Sequence, residues 1–154
     1  MIRVQKEDFD VGAEIARLID GNSGIGGVVS FVGLVREVAG GEAIGAMTLE
    51  HYSGMTEREL ARIEAEAQAR WPLEASLIIH RYGRLEPGDR IVLVAAASSH
   101  RQAAFDACQF LIDWLKTKAP FWKREEVGGQ ERWVEAKVDD DAATARWGGR
   151  ERNG

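Results

Sequence analysis

Cysteine is almost missing from this chain. Cys108 stands alone in 154 residues, which excludes an internal disulfide framework and any CxxC-type metal cluster. That scarcity fits a reducing compartment, and the cytoplasm is the expected location. Long apolar runs are missing too: no window approaches the roughly 18 consecutive residues that would cross a bilayer. Met1 to Asp8 alternates in charge where an export leader would carry an apolar segment, so no membrane contact is expected. A positive excess is also absent, with 20 Lys+Arg against 25 Asp+Glu and a net charge of -5. This balance argues against a protein that coats nucleic acid through many phosphate contacts. His51 and His80 have no second ligand at metal-binding spacing, and they read as core or surface histidines. Gly21 to Gly27 matches neither GxGxxG nor a Walker loop and reads as a mobile loop before a strand.

What remains is a well-patterned α+β chain with mainly antiparallel strands and three main helices. Ile2 to Gln5 reads as an edge strand. Asp10 caps a helix with Ile15, Leu18 and Ile19 on its apolar stripe, stopped at Gly21. Val28–Val35 and Ile44–Tyr52 read as strands forming a hairpin around Ala39-Gly40-Gly41. Thr56 and Glu59 have capping-box spacing and open a helix that runs to Arg70 with Leu60, Ile63 and Ala67 inward; Pro72 ends it. Leu77–Tyr82 and Arg90–Ala97 make a second hairpin around the turn Leu85-Glu86-Pro87-Gly88-Asp89. Ser99 caps a third helix, with Phe105, Cys108, Leu111, Ile112 and Leu115 on its stripe and Pro120 beyond its end. Phe121–Glu126 and Arg132–Ala136 pair around Gly128-Gly129, before an acidic tail that is either helical or frayed. The order β-α-β-β-α-β suggests a split βαβ arrangement with one helix and one hairpin added.

The feature that stands out is the stretch from Leu115 to Glu125. Lys116, Lys118, Lys123 and Arg124 crowd there with Phe121 and Trp122 around Pro120, in a chain that is otherwise acidic. Like charges held together cost free energy, so an anion site is the sharper reading. The bland alternatives are a solvated helix end and an edge strand guarded by Lys123 and Arg124. Arg36, at the end of a buried strand, could grip a phosphate or carboxylate in two places. His100 and Arg101 stand at a helix start, where their positive charge opposes the helix dipole unless an anion joins them. Cys108, on the apolar stripe, reads as a buried structural thiol.

Taken in order, these residues resemble a known family. They are Gly33-x-Val35-Arg36, Leu49-Glu50-His51-Tyr52-x-Gly54-Met55, Ser99-His100-Arg101, Lys116-Thr117-x-Ala119-Pro120-Phe121-Trp122-Lys123-Arg124-Glu125 and Arg132-Trp133-Val134-Glu135-Ala136. The chain is similar to the large, catalytic subunit of molybdopterin synthase from about residue 2 to Trp147. The resemblance implies one domain over residues 1–147, an α/β hammerhead-type fold, and a disordered tail at 148–154. It implies a homodimer within a heterotetramer, with a small ubiquitin-like sulfur-carrier subunit ending in Gly-Gly at each outer end. The implied reaction converts cyclic pyranopterin monophosphate to molybdopterin, using two sulfurs from the carrier's thiocarboxylate and no cofactor. Lys116 and Lys123 are then the catalytic residues. Arg36, His100, Arg101 and Arg124 bind substrate, Leu34, Val35 and Glu125 adjoin those contacts, and Lys137 occupies a further cationic position. Leu34 departs from the polar residue often found at its position, which leaves it a backbone contact. The rival reading is a non-catalytic dimeric module that grips an acidic tail or single-stranded nucleic acid.

Helix length adds one constraint. His100 and Lys116 lie 16 residues apart on one expected helix, which separates them by roughly 24 Å at about 1.5 Å per residue. If both contact one substrate, a second copy of the chain must supply His100 and Arg101.

Overall fold

A computed structural model describes residues 1–39, 41–43, 45–133 and 147. In chain order the elements are β1 (Ile2–Gln5), α1 (Val11–Ile19), β2 (Gly27–Leu34), β3 (Val38–Ala39), β4 (Glu42–Ala43), β5 (Met47–His51), α2 (Met55–Arg70), β6 (Leu73–Arg81), β7 (Gly83–Leu85), β8 (Arg90–Ser98), α3 (Arg101–Thr117), β9 (Phe121–Val127) and β10 (Gln130–Trp133). The class is α+β, as the patterning indicates. Lys137 and the tail at 148–154 lie outside the described residues.

The strands form two four-stranded sheets and a small β3–β4 ribbon. The first sheet runs β1-β6-β8-β2, with β1 parallel to β6 and the other pairs antiparallel. Its strands alternate in the way a sheet covered on both faces requires. Ile78, Val94 and Ala96 pack with Leu60, Ile63 and Ala67 of α2 and with Ala107, Phe110, Leu111 and Trp114 of α3. Leu77, Ile79, Leu93 and Ala95 point the other way, onto Phe9 and toward Val11 and Leu18 of α1. Each fully buried Leu or Ile here contributes about 2 kcal/mol. Trp147 joins the first of these layers. Its ring meets Trp71 and Phe110 edge-on at 5.6 and 5.7 Å, and its Nε1 donates to Asp113 Oδ2 at 2.6 Å.

The second sheet runs β10-β9-β5-β7 and carries its own small core of Val35, Met47, Leu49 and Leu85. The chain crosses from one sheet to the other between Arg81 and Gly83, where Gly83 adopts a φ of 90° that disfavours a side chain.

Several expectations are corrected here. The strands at Val28–Val35 and Ile44–Tyr52 do not pair: β2 joins β8, β5 joins β7 and β9, and only the short β3–β4 ribbon spans the Gly41 turn. That removes β5 from the first sheet and with it the split βαβ layout. Helix α2 is opened by Gly54, whose N–H donates to Glu57 Oε2 at 2.6 Å, and not by Thr56 and Glu59. Thr56 is fully buried two residues later, in the first turn, its hydroxyl donating to the Tyr52 carbonyl at 2.8 Å. At α3 the cap position is His100, without a side-chain cap, and Ser99 precedes it. Phe105 is not on the buried stripe but 55% exposed. The Asp10 cap, accepting from Ala13 N at 2.9 Å, and the antiparallel pairing of β6 with β8 stand as expected, but β7 of the other sheet intervenes between them, so their connection is longer than a turn at Leu85–Asp89.

Candidate functional site

The site is built where α3 ends and β9 begins. Helix α3 carries Lys116 in its last turn, exposed, and closes with the Lys118 N–H donating to the Trp114 carbonyl at 2.8 Å. Pro120 cannot continue a helix, and the chain passes directly into β9. β9 lies between β10 and β5, so it is an interior strand. The edge-guard explanation of Lys123 and Arg124 therefore fails.

Register decides which side chains meet. Lys123 is opposite Leu49, Phe121 opposite His51 and Glu125 opposite Met47. Alternation puts Phe121, Lys123 and Glu125 on one face of β9 and Trp122, Arg124 and Glu126 on the other. On the first face the Phe121 ring lies flat on the His80 imidazole, with centroids 3.7 Å apart and planes 15° apart. His51 is 5.9 Å from Phe121 and 4.4 Å from Tyr82, and its Nδ1 is 3.1 Å from Thr56 Oγ1. On the second face Trp122 meets Tyr52 edge-on at 4.2 Å, and Arg124 pairs with Glu50. The aromatic wall beside Lys123 is thus Phe121 with His80, and Trp122 faces away from it.

His80 shows that the two lysines converge. Burial pushes its pKa down to about 3, the Arg81 carbonyl pulls it the other way, and Lys123, Lys116 and His51 add further downward repulsion. One lysine from the end of α3 and one from β9 are thus both near enough to this buried imidazole to oppose a charge on it. His80 read from the sequence only as a core or surface histidine. Its one signal was a titratable residue closing the apolar run Leu77-Ile78-Ile79.

The remaining candidates divide. Val35 is buried against Met47, Leu49 and Leu85, and its backbone bonds to Asp89 and Gly88 clamp the turn between β7 and β8. It thereby places exposed Arg36 just past the end of β2, beside the core of the β5–β9 sheet, while Leu34 is 53% exposed. His100 and Arg101 are exposed at the opposite end of the unbroken 17-residue helix α3, so one chain does not bring them to Lys116. Gly21–Gly27, expected to be a free loop, is tied to that helix start by the Gly26 N–H, which donates to the Ser98 carbonyl at 2.9 Å. An open cleft of about 550 Å³ lies on the flank of β5, bordered by Lys6, Glu50, His51, Glu57 and Tyr82; neither lysine lines it. Among the described residues no group of three His, Cys, Asp or Glu side chains could hold a metal ion. No described helix is long and apolar enough to cross a membrane.

Two lysines thus lie near a buried imidazole–phenyl stack, in a chain with separate cationic groups at Arg36 and at a helix start. The chain belongs to the MoaE protein family, whose model matches residues 4–118. It is 57% identical to the molybdopterin synthase catalytic subunit of Pseudomonas aeruginosa over 146 residues, 95% of this chain and 97% of that protein. The solved structure of the molybdopterin biosynthesis MoaE protein from Burkholderia ambifaria is 53% identical, covers 96% of this chain and 97% of its own, and superposes with a TM-score of 0.82. A chain from the complex of molybdopterin-converting factor subunits 1 and 2 of Helicobacter pylori shares the fold at 17% identity and a TM-score of 0.70, covering 88% of this chain and 91% of its own.

Proposed function

We propose that this chain is the catalytic subunit of a molybdopterin synthase. It converts cyclic pyranopterin monophosphate to molybdopterin with two sulfurs from the thiocarboxylated Gly-Gly end of a small ubiquitin-like carrier. The observation that carries this reading is the convergence of Lys116 and Lys123 on the His80–Phe121 stack, in a chain so similar to named catalytic subunits.

When the thiocarboxylate carbonyl is attacked, negative charge develops on its oxygen and a proton must move. Two lysines can divide that work: one as the neutral base that moves the proton, the other as the ammonium that stabilises the oxyanion. Arg36, with its flat two-pronged guanidinium, and Lys137 are suited to the substrate's anionic groups. Leu34 and Val35 bring Arg36 into place, Glu125 shares the Lys123 face, and Arg124 serves the site only from the outer face, where it holds Glu50.

His100 and Arg101 complete the phosphate contacts from a second copy of the chain, because α3 holds them about 24 Å from Lys116. The working unit is then a homodimer inside a heterotetramer. Incubating purified protein with a thiocarboxylated carrier and cyclic pyranopterin monophosphate tests this directly. Molybdopterin is the expected product; salt-sensitive binding without turnover would overturn the reading.

A further inference from the structure

We propose that His80 is a positioning residue of this sulfur-transfer site: buried against Phe121 beside Lys123, it offers the lysine pair an uncharged hydrogen-bond acceptor. The proposal rests on the function just described and adds to it a residue outside the lysine pair.

The tautomer follows from one contact. His80 Nδ1 lies 2.8 Å from the Arg81 carbonyl oxygen. A carbonyl only accepts, so Nδ1 carries the hydrogen and, in the neutral ring, Nε2 carries the lone pair. Among the described residues that bond is the ring's one hydrogen bond. Nε2 is therefore an open acceptor on a side chain that is only 7% exposed.

Position follows from the stack. Phe121 and Lys123 are two residues apart on β9 and share a face, so the ring that His80 seats stands beside Lys123 on that face. The charged and titratable groups facing His80 are Lys123 from β9, Lys116 from α3 and His51 from β5; Glu125 shares the Lys123 face of β9.

Charge follows from burial. A third cation beside two ammonium groups would be strongly unfavourable, and the ring stays neutral until the pH nears 3. His80 thus cannot compete for the proton that the lysines exchange. It accepts a hydrogen bond from whichever lysine is protonated and leaves proton transfer to the pair.

The test compares His80→Phe with His80→Gln in the assembled synthase, supplied with thiocarboxylated carrier and cyclic pyranopterin monophosphate. Phenylalanine keeps the flat, buried ring but has no acceptor; glutamine loses the ring but keeps an acceptor carbonyl at similar reach. We expect His80→Phe to lose about tenfold or more in kcat with the KM for the pterin little changed, and His80→Gln to retain clearly more. A purely structural histidine gives the opposite order, and His80→Phe matching or exceeding His80→Gln overturns the proposal. A wild-type protein that makes no molybdopterin under the same conditions sinks the function itself and is read separately. Nitrogen NMR of the labelled wild-type imidazole needs no variant to fold. His80 should remain the neutral Nδ1–H tautomer from about pH 9 to about pH 5, and an imidazolium or an Nε2–H form in that range overturns the proposal.

Discussion

Gly26 and Ser99 approach so closely that a Cβ on Gly26 would sit 2.1 Å from the Ser99 carbonyl oxygen. That oxygen belongs to backbone, at the entry to α3, and cannot swing aside like a side chain end. Gly26→Ala should therefore displace the start of α3 and cost about 2 kcal/mol or more, read by urea unfolding. His100 and Arg101 move with it, so the KM for the pterin should rise while reactivity at Lys116 and Lys123 is preserved. An unchanged KM would separate the helix start from substrate binding.

The lysine pair gives the sharpest activity prediction. Lys116→Arg and Lys123→Arg each keep a positive charge but cannot act as a neutral amine. A loss of a hundredfold or more in molybdopterin formation identifies the lysine that moves the proton, whereas the one that only stabilises charge should tolerate arginine better. Full activity of Lys116→Arg would remove Lys116 from the base role.

If α3 keeps His100 away from Lys116 in its own chain, two inactive chains can rescue each other. Lys116→Ala and His100→Ala subunits, refolded together in equal amounts, give mixed dimers in about half the population, each with one intact site of two. Activity near a quarter of wild type is expected. No recovery would mean that one chain supplies every contact.

Stability should depend on His80. Its pKa falls from 6.5 unfolded to about 3 folded, so between those values the unfolded chain binds a proton that the folded chain refuses. Stability is then level above about pH 6.5 and declines as pH drops, by up to about 1.4 kcal/mol per pH unit. Asp8, whose pKa the Arg90 hydrogen bond lowers from 3.8 to about 2, adds its own loss below the range where His80 begins. Urea titrations at about pH 7 and pH 5 should show the decline in wild type and a shallower one in His80→Phe; equal slopes would contradict it.

Cys108 should be chemically silent. It is 4% exposed, and burial pushes its thiol up to about 11. Iodoacetamide near pH 8 should label the unfolded chain readily and the folded chain hardly at all, since only about one thiol in a thousand is then ionised. Rapid labelling of the native protein would disprove the buried assignment.

What could be read in advance was local. Asp10, Pro72 and the spacing of Leu60, Ile63 and Ala67 act over one or two turns, and the structure places those helices accordingly. Pairing of β5 with β9 was not legible, because a strand's alternation shows that it needs partners without saying which. The turn at Ala39-Gly40-Gly41 suggested a neighbour in sequence, and the cores chose β8 for β2 instead. The lysines were visible as a charge cluster, but the division of β9 into a Lys123 face and an Arg124 face appears only once its register with β5 is fixed. His80 was missed for the same reason: what it touches, Phe121, arrives from a distant strand.

The joining of β9 to β5 also governs when the protein becomes competent during its own synthesis. Glu50 and Arg124, neighbours across that seam, are 74 residues apart in sequence. The four strands of the first sheet have all been synthesised before Lys123 is made. A product truncated before Phe121 therefore contains every strand of the first sheet and Lys116, but lacks β9 and Lys123. If Lys123 carries the proposed role, such fragments transfer no sulfur, and the pairing of β9 with β5 is the last requirement for activity to be met as the chain is made.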